Sequence, residues 1–387
     1  LSVLILTKPS DGIIIDERFK NKQLLLNWLI RVHRCIGFNN TSHIFFAKPK
    51  TFARLASQRV HQDDYPIVSI IGYSSLLGES FSIEPLYSIA RKLNAKTSLP
   101  RLAQTYGFPI PASAVLPMKR ITSDELKKFG FPDHTIYVKS DGLGGGSNVC
   151  KIASPQDVSK AHNLFPSEDL VLVQQAIGDG AIETITTFLI YPHRVMWINT
   201  RAKLVYKNIW YGNVYLPDLA PSPQQMISLL AAAEAVRASG YHSSYGLLVG
   251  FDAFLQPDNA TIIEMNARWL GSTPSEQVLY RLGLLDKVLA VGIFDTVVAV
   301  ELEVYKQFCE EHLFQRDTKE VFQLIPLSFS AYNSRKGESL VHFLVIGDFR
   351  FFAAEIKKRL PRSFPLLQNT LDIYTRVIDT IEKIKGR

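Results

Sequence analysis

The chain has 387 residues, 47% apolar and 20% charged. That balance excludes an extended disordered polypeptide and asks for two or three domains rather than one core. The formal charge of +7 and pI near 9.1 favour an anionic partner, yet the excess is diffuse. KKR at 357–359 is too short for a nucleic-acid arm, so a phosphate-bearing small molecule fits better than nucleic acid. Three separated cysteines, Cys35, Cys150 and Cys309, form neither a disulfide framework nor a zinc pattern, as in a reducing compartment.

The opening apolar run is too short for a signal peptide and has no basic residues before it. It reads as a strand at 3–6. No window approaches the roughly 18 apolar residues of a membrane span. A soluble, cytoplasmic protein with no membrane partner is expected. The start at Leu1 rather than Met suggests that the natural chain extends upstream.

Residues 22–34 carry a helical apolar face. HIFFA (43–47) and PIVSIIG (66–72) are apolar runs of the kind buried in parallel sheets, so residues 1–95 read as a small α/β domain. A helical stretch at 84–106 is broken by Pro100, and the prolines of 107–113 force a turn. IYVKSDGLGGGSNVCKI (136–152) reads as strand, Gly-rich turn, strand. Strands are expected at 169–177 and, as an antiparallel pair, across 183–206. Residues 207–223 read as a long functional loop. A helix follows from Pro223 to Gly240, then a hairpin turning at Pro257-Asp258-Asn259. Residues 275–310 look helical, 321–352 look like two strands, and a helix closes the chain at 369–385.

Four constellations carry chemistry. In DGLGGGSN (141–148), Gly142, Gly144, Gly145, Gly146 and Ser147 would let backbone N–H groups approach an anion. A flexible hairpin tip is the plain alternative. Lys139 stands where it would reach the same anion, or simply end a strand in solvent. Asp252 and Glu264 with Asn266 fall on neighbouring hairpin strands, two charged and one neutral oxygen ligand suited to Mg²⁺ on nucleotide phosphates; ordinary salt bridges are the competing reading. Arg268 would neutralise a second anion or pair back to Glu264. Ser272 and Thr273 in GSTP would donate to a substrate carboxylate or cap the next helix. Gln174, Gln175 and Ile177, running into IGDG, form a strand end able to hold adenine, with Glu183 in reach of a ribose. Arg201, Lys203 and Lys207 are cations of the kind that bind a substrate carboxylate, and Tyr206, Trp210, Tyr211 and Tyr215 could stack on a side chain; surface strand residues and a lid packing on itself are the plain alternative.

In this order the series resembles the ATP-grasp superfamily over roughly residues 90 to 295. NAKTSLPRLAQTYGFPIPAS is similar to the family's entry segment, with Lys96 at its phosphate-contacting lysine. Lys139 matches the second phosphate lysine, 141–147 the phosphate lid, Gln174–Ile177 the adenine hinge, Glu183 the ribose acid, and Asp252, Glu264 and Asn266 the two-magnesium ligand set. The resemblance implies an α/β (α+β) ATP-grasp fold. A Rossmann-like pre-ATP-grasp domain (1–95) would precede two α+β subdomains clasping ATP (96–300, lid about 135–180), with a C-terminal α/β extension (301–387).

It also implies ATP and Mg²⁺ as cofactors, with two ions and with Mn²⁺ as a substitute. The activity would be a carboxylate–amine ligation through an acyl phosphate steadied by Arg268 and Lys139, with small-molecule substrates and room for a homodimer. A kinase on the same fold and a non-catalytic ATP-binding module are the alternatives. Gly250 departs from the D-alanine ligases, which carry arginine there. The Asn-Ala-Arg ending is closer to the biotin carboxylase and peptide ligase branches. No Met-Lys-Met biotin-attachment sequence is present, and the tail resembles that of pheganomycin-type peptide ligases.

Overall fold

The computed structural model describes residues 12–16, 20, 23–38, 43–47, 84–141, 148–166, 169–178, 181–217, 219–298, 302–333, 338–360 and 367–384. The strands expected at 3–6 and 66–72 lie outside them, as does the Gly-rich segment 142–147.

The chain begins with β1 (Gly12–Asp16), α1 (Gln23–Cys35) and β2 (His43–Ala47). The two strands pair in parallel, Gly12 opposite His43, so α1 is the crossover that a parallel pair requires. Then come α2 (Glu84–Asn94), a 3₁₀ turn (Lys96–Ser98) and α3 (Leu99–Tyr106). Pro100, expected to break a helix, instead sits in the first turn of α3, where its missing N–H costs nothing.

A four-stranded antiparallel sheet follows, in the order β3-β6-β4-β5. Its strands are β3 (Ser113–Pro117), β4 (Ile136–Ser140), β5 (Val149–Ile152) and β6 (Leu170–Gln175). The short α4 (Ser123–Leu126) and α5 (Pro155–Leu164) accompany it. Met118, Ile121, Val138, Ile152, Ala161, Val171 and Val173 form its core.

The larger sheet has eight strands in the order β11-β10-β7-β8-β9-β12-β14-β13. These are β7 (Ile182–Ile190), β8 (Val195–Tyr206), β9 (Ile209–Tyr215), β10 (Leu247–Leu255), β11 (Ala260–Asn266), β12 (Ala290–Val298), β13 (Phe322–Asn333) and β14 (Glu338–Gly347). Helices α6 (Pro223–Ala238), α7 (Thr273–Leu282), α8 (Leu302–Glu311), α9 (Phe349–Arg359) and α10 (Leu367–Ile384) pack around it.

Three expectations need correcting here. Residues 207–215 are not a loop. Lys207 and Asn208, both at positive φ, make a two-residue turn, and β9 pairs with β8. The helical reading of 275–310 missed β12, a short apolar run that periodicity cannot tell from a buried helix. The second strand of the tail stops at Gly347, because Asp348 caps α9 by accepting from the Arg350 N–H. Within the tail, β13 and β14 continue the large sheet, β14 pairing along β12.

One face of the large sheet, with Phe188, Val249, Phe251, Ala253 and Ile262, packs on α2, α3 and α6. At the other end of the sheet, Leu25, Trp28, Leu29 and Val32 of α1 join Phe308, Phe352 and Tyr374 in a second core.

Candidate active site

The hairpin β10–β11 sets Asp252 directly opposite Glu264 and Gly250 opposite Asn266. Simple alternation would turn Glu264 to the same side as Ile262, into the apolar core. A bulge prevents this: Ala253 pairs with Ile262 while Asp252 pairs with Glu264, leaving Ile263 as the extra residue. The bulge re-aims everything after it. Ile262 and Met265 face the core, and Glu264 and Asn266 join Asp252 on the opposite face. At Gly250 a Cβ would come within 2.6 Å of the Leu270 side chain, which would have to shift to admit any side chain there.

Asp252 is 8% exposed and Asn266 4%. The Asp252 Oδ2 accepts from Lys203 Nζ at 2.8 Å, whereas its buried Oδ1 has no hydrogen-bond partner. Burial, and next the Glu264 charge, push the Asp252 carboxyl upward against the pull of Lys203. Lys203 also pairs with Glu183 at 2.6 Å. Burial works against its charge, but Asp252 and Glu183 outweigh it and hold the ammonium firmly protonated. Glu264 lies 3.5 Å from the buried Lys96. Its burial is overcome by Lys96, Lys139, Lys203 and Arg268, which keep it below the usual carboxylate range.

The small sheet faces this cluster with Lys139. Its ammonium donates to Gln174 Oε1 at 2.7 Å, and burial lowers its pKa to about 8 despite the nearby Glu264 and Glu183. Lys96, Lys139 and Lys203 therefore meet Glu183, Asp252 and Glu264 in one charged cluster. The 3₁₀ turn is tied to the base of the Gly-rich hairpin, where Asp141 accepts from the Thr97 N–H and hydroxyl at 3.0 and 2.6 Å. Val149 opposite Lys139 fixes the strand–turn–strand geometry; Gly142, Gly144, Gly145, Gly146 and Ser147 lie outside the described residues.

Arg268 does not pair back to Glu264; its Nη1 donates to Asn94 Oδ1 at 2.8 Å. At the hinge, Gln174 uses both ends of its amide, on Lys139 and on Ser113. The N–H groups of Gln175 and Ala176 go to Ala112 and Thr135, so neither is left for another acceptor.

The cations and donors expected to hold a substrate carboxylate are placed differently. Arg201 is wholly buried, ion-paired to Glu276 at 3.1 Å, and donates to Thr187 and Ser272 hydroxyls. Tyr215 donates to the Ser272 carbonyl, and the Thr273 hydroxyl accepts from the Leu270 N–H. Arg201, Ser272, Thr273 and Tyr215 thus tie the start of α7 to the sheet, while Ser272, the N-cap residue, makes no side-chain capping bond. Lys207 is exposed at the β8–β9 turn, its ammonium 5.3 Å from the Tyr206 ring centroid. Lys203, grouped with these, instead pairs with Asp252 and Glu183.

No family model matches the sequence, and no curated relative does. Solved structures do resemble the fold. The biotin carboxylase domain of 2-oxoglutarate carboxylase from Hydrogenobacter thermophilus, in complex with MgADP, ADP and bicarbonate, is 13% identical with a TM-score of 0.57, covering 89% of this chain and 90% of that one. Biotin carboxylase from Campylobacter jejuni is 13% identical with a TM-score of 0.58, covering 94% and 87%. N5-carboxyaminoimidazole synthetase from Staphylococcus aureus, complexed with ADP, is 11% identical with a TM-score of 0.57, covering 90% and 96%. These likenesses establish the fold, and the chain has that of the ATP-grasp enzymes.

Proposed function

We propose that this protein is an ATP-dependent ligase that activates an amino-acid or peptide carboxylate as an acyl phosphate and joins it to an amine, releasing ADP and phosphate. One observation carries the reading. Asp252, with a buried oxygen lacking any partner, is register-paired to Glu264 beside Asn266, and three lysines converge on the same space.

An unpartnered buried carboxylate oxygen is costly, and Mg²⁺ relieves that cost, so the residues fit the metal. Asp252, Glu264 and Asn266 would hold it. Among the described residues no group of three or more His, Cys, Asp or Glu is placed to hold an ion, so phosphate and water oxygens would complete the set, as Mg²⁺ prefers. The ion would supply charge neutralisation on the nucleotide phosphates; one ion or two, and Mn²⁺ in place of Mg²⁺, are open to the same ligands. The MgADP of the Hydrogenobacter structure supports this choice.

Lys96 and Lys139 would neutralise phosphate oxygens, and Glu183 would take a ribose hydroxyl. Arg268 would steady the acyl phosphate. Such chemistry needs alignment and charge more than covalent help from the protein. Residues 96–300 would form the nucleotide-binding unit, and a homodimer would parallel the domain dimer of the Hydrogenobacter structure.

A second reading takes bicarbonate as the carboxylate, with a carboxylated amine as product; the bicarbonate in that same structure favours it. ADP release from Mg-ATP, measured against pools of amino acids and dipeptides with and without bicarbonate, separates the two. A single acceptor sufficing, with a stable phosphoester as product, would instead identify a kinase. Tight ATP binding without turnover on any pool would leave a binding module.

A further inference from the structure

The corner between α2 and α3 reaches the site in three places. Lys96 pairs with Glu264, Thr97 holds Asp141, and Asn94 reaches the chain where it leaves β11. Asn94 Oδ1 accepts from the Ala267 N–H at 2.9 Å and from Arg268 Nη1 at 2.8 Å. Its Nδ2 donates to the Ala90 carbonyl at 2.7 Å and the Ala267 carbonyl at 3.3 Å. Two donors stand on one side of the amide and two carbonyls on the other, so only one orientation satisfies all four groups.

The bond to Ala90, one helical turn back, locks the side chain that receives the guanidinium. Arg268 is therefore aimed by a group that is itself fixed, and its charge is felt at Glu264. A residue serving only to stitch α2 to the β11 exit would need the Ala267 bonds alone. The bond to Arg268 is additional, and it restrains the one cation at the end of the metal-ligand strand.

We propose that Asn94 is a positioning residue. It holds the Arg268 guanidinium in the direction of the reacting anion and locks it to the same corner that carries Lys96. The role assigned to Arg268 rests on the ligase reading above; the restraint of its guanidinium does not.

Two readouts test this on the full chain. The first is the arginine side-chain nitrogen-15–proton spectrum, with Arg268→Lys identifying the Arg268 signal by its loss. A hydrogen-bonded guanidinium rotates slowly, so separated Nη protons are expected in the wild type and averaged ones in Asn94→Ala. Asn94→Asp, whose carboxylate still accepts, is expected to restore the separation, and serves where Asn94→Ala folds poorly. The second is turnover on the acceptor pools. There Asn94→Ala is expected to lower kcat about tenfold or more while the KM for ATP stays within about twofold. An Arg268 signal identical in wild type and Asn94→Ala would overturn the proposal, as would a kcat loss matched by an equal loss of ATP affinity. Absence of turnover in the wild type on every pool would sink the ligase reading, while the spectra would still decide whether Asn94 restrains Arg268.

Discussion

Lys203 and Asp252 form a buried ion pair at 2.8 Å, and the same ammonium reaches Glu183 at 2.6 Å. One lysine on β8 thus ties together the carboxylates assigned to a ribose and to a metal. Removing it by Lys203→Met would leave the buried Asp252 carboxylate and the half-buried Glu183 without their partner. A loss of about 3–5 kcal/mol in stability is expected, measured by denaturant unfolding without metal. Added Mg²⁺ is expected to recover part of it, because the ion replaces the missing charge. Equal stability of the variant and the wild type would contradict the role given to Lys203.

Metal and nucleotide should act together at Asp252 and Glu264. A ligand present at 100 times its Kd stabilises the folded state by roughly 2.7 kcal/mol. Mg-ATP is therefore expected to raise the melting temperature of the wild type by several degrees, and far less for Glu264→Gln. A thermal shift that survives Glu264→Gln in full would place the metal elsewhere.

Lys139 would give the proposed nucleotide site a pH dependence. Its pKa is lowered from the ordinary 10.5 to about 8 by burial. Between those values the unfolded chain holds a proton that the folded one has released, so this group makes unliganded stability rise as pH increases from about 8 to 10.5. ATP affinity should move the opposite way. It is expected to fall above about pH 8, approaching tenfold per pH unit, as the phosphate-facing charge is lost. Titration calorimetry at several pH values checks this, and Lys139→Arg, always charged, should flatten the profile.

On the acid side, two buried histidines control stability. His33, hydrogen-bonded to the Pro326 carbonyl at 2.8 Å, has its pKa lowered by burial to about 4, and burial lowers His342 to about 3. The unfolded chain protonates both near 6.5, so stability is lost as pH falls below 6.5, down to about 4 for His33 and about 3 for His342. Each contributes up to about 1.4 kcal/mol per pH unit. His33→Gln and His342→Gln should each make the decline measured by urea unfolding shallower.

Arg201 separates a structural role from a substrate one. Its partner Glu276 is 1% exposed, so Arg201→Met strands a buried carboxylate and is expected to cost about 3–5 kcal/mol. Glu276→Gln in the same chain should return part of that loss. A variant of wild-type stability with a raised substrate KM would restore the carboxylate-binding role.

Much of this arrangement is legible in the sequence where neighbours in the chain are neighbours in space. The β10–β11 hairpin follows from two apolar runs around Pro257-Asp258-Asn259, and with it the pairing of Asp252 and Glu264. The strand–turn–strand around Lys139 is equally local. What escapes is set by contacts distant in sequence. Lys203 finds Asp252 across 49 residues and Asn94 finds Arg268 across 174, and nothing in either local pattern marks the partner. The bulge at Ile263 is hidden for another reason: Thr-Ile-Ile reads the same with or without the extra residue, yet the bulge decides which face Glu264 takes. Arg201 looks like its neighbour Lys203, two positions along one strand, yet Arg201 pairs with Glu276 on α7 while Lys203 pairs with Asp252 and Glu183.

The most direct test of the ligase reading follows an oxygen atom. In an acyl phosphate route a carboxylate oxygen attacks the γ-phosphorus, and the amine then expels phosphate carrying that oxygen. With an oxygen-18-labelled carboxylate drawn from whichever pool supports ADP release, label is expected in the inorganic phosphate, and neither turnover nor label should appear with Glu264→Ala. Turnover that leaves the released phosphate unlabelled, or that yields a stable phosphoester, would contradict carboxylate activation at this site.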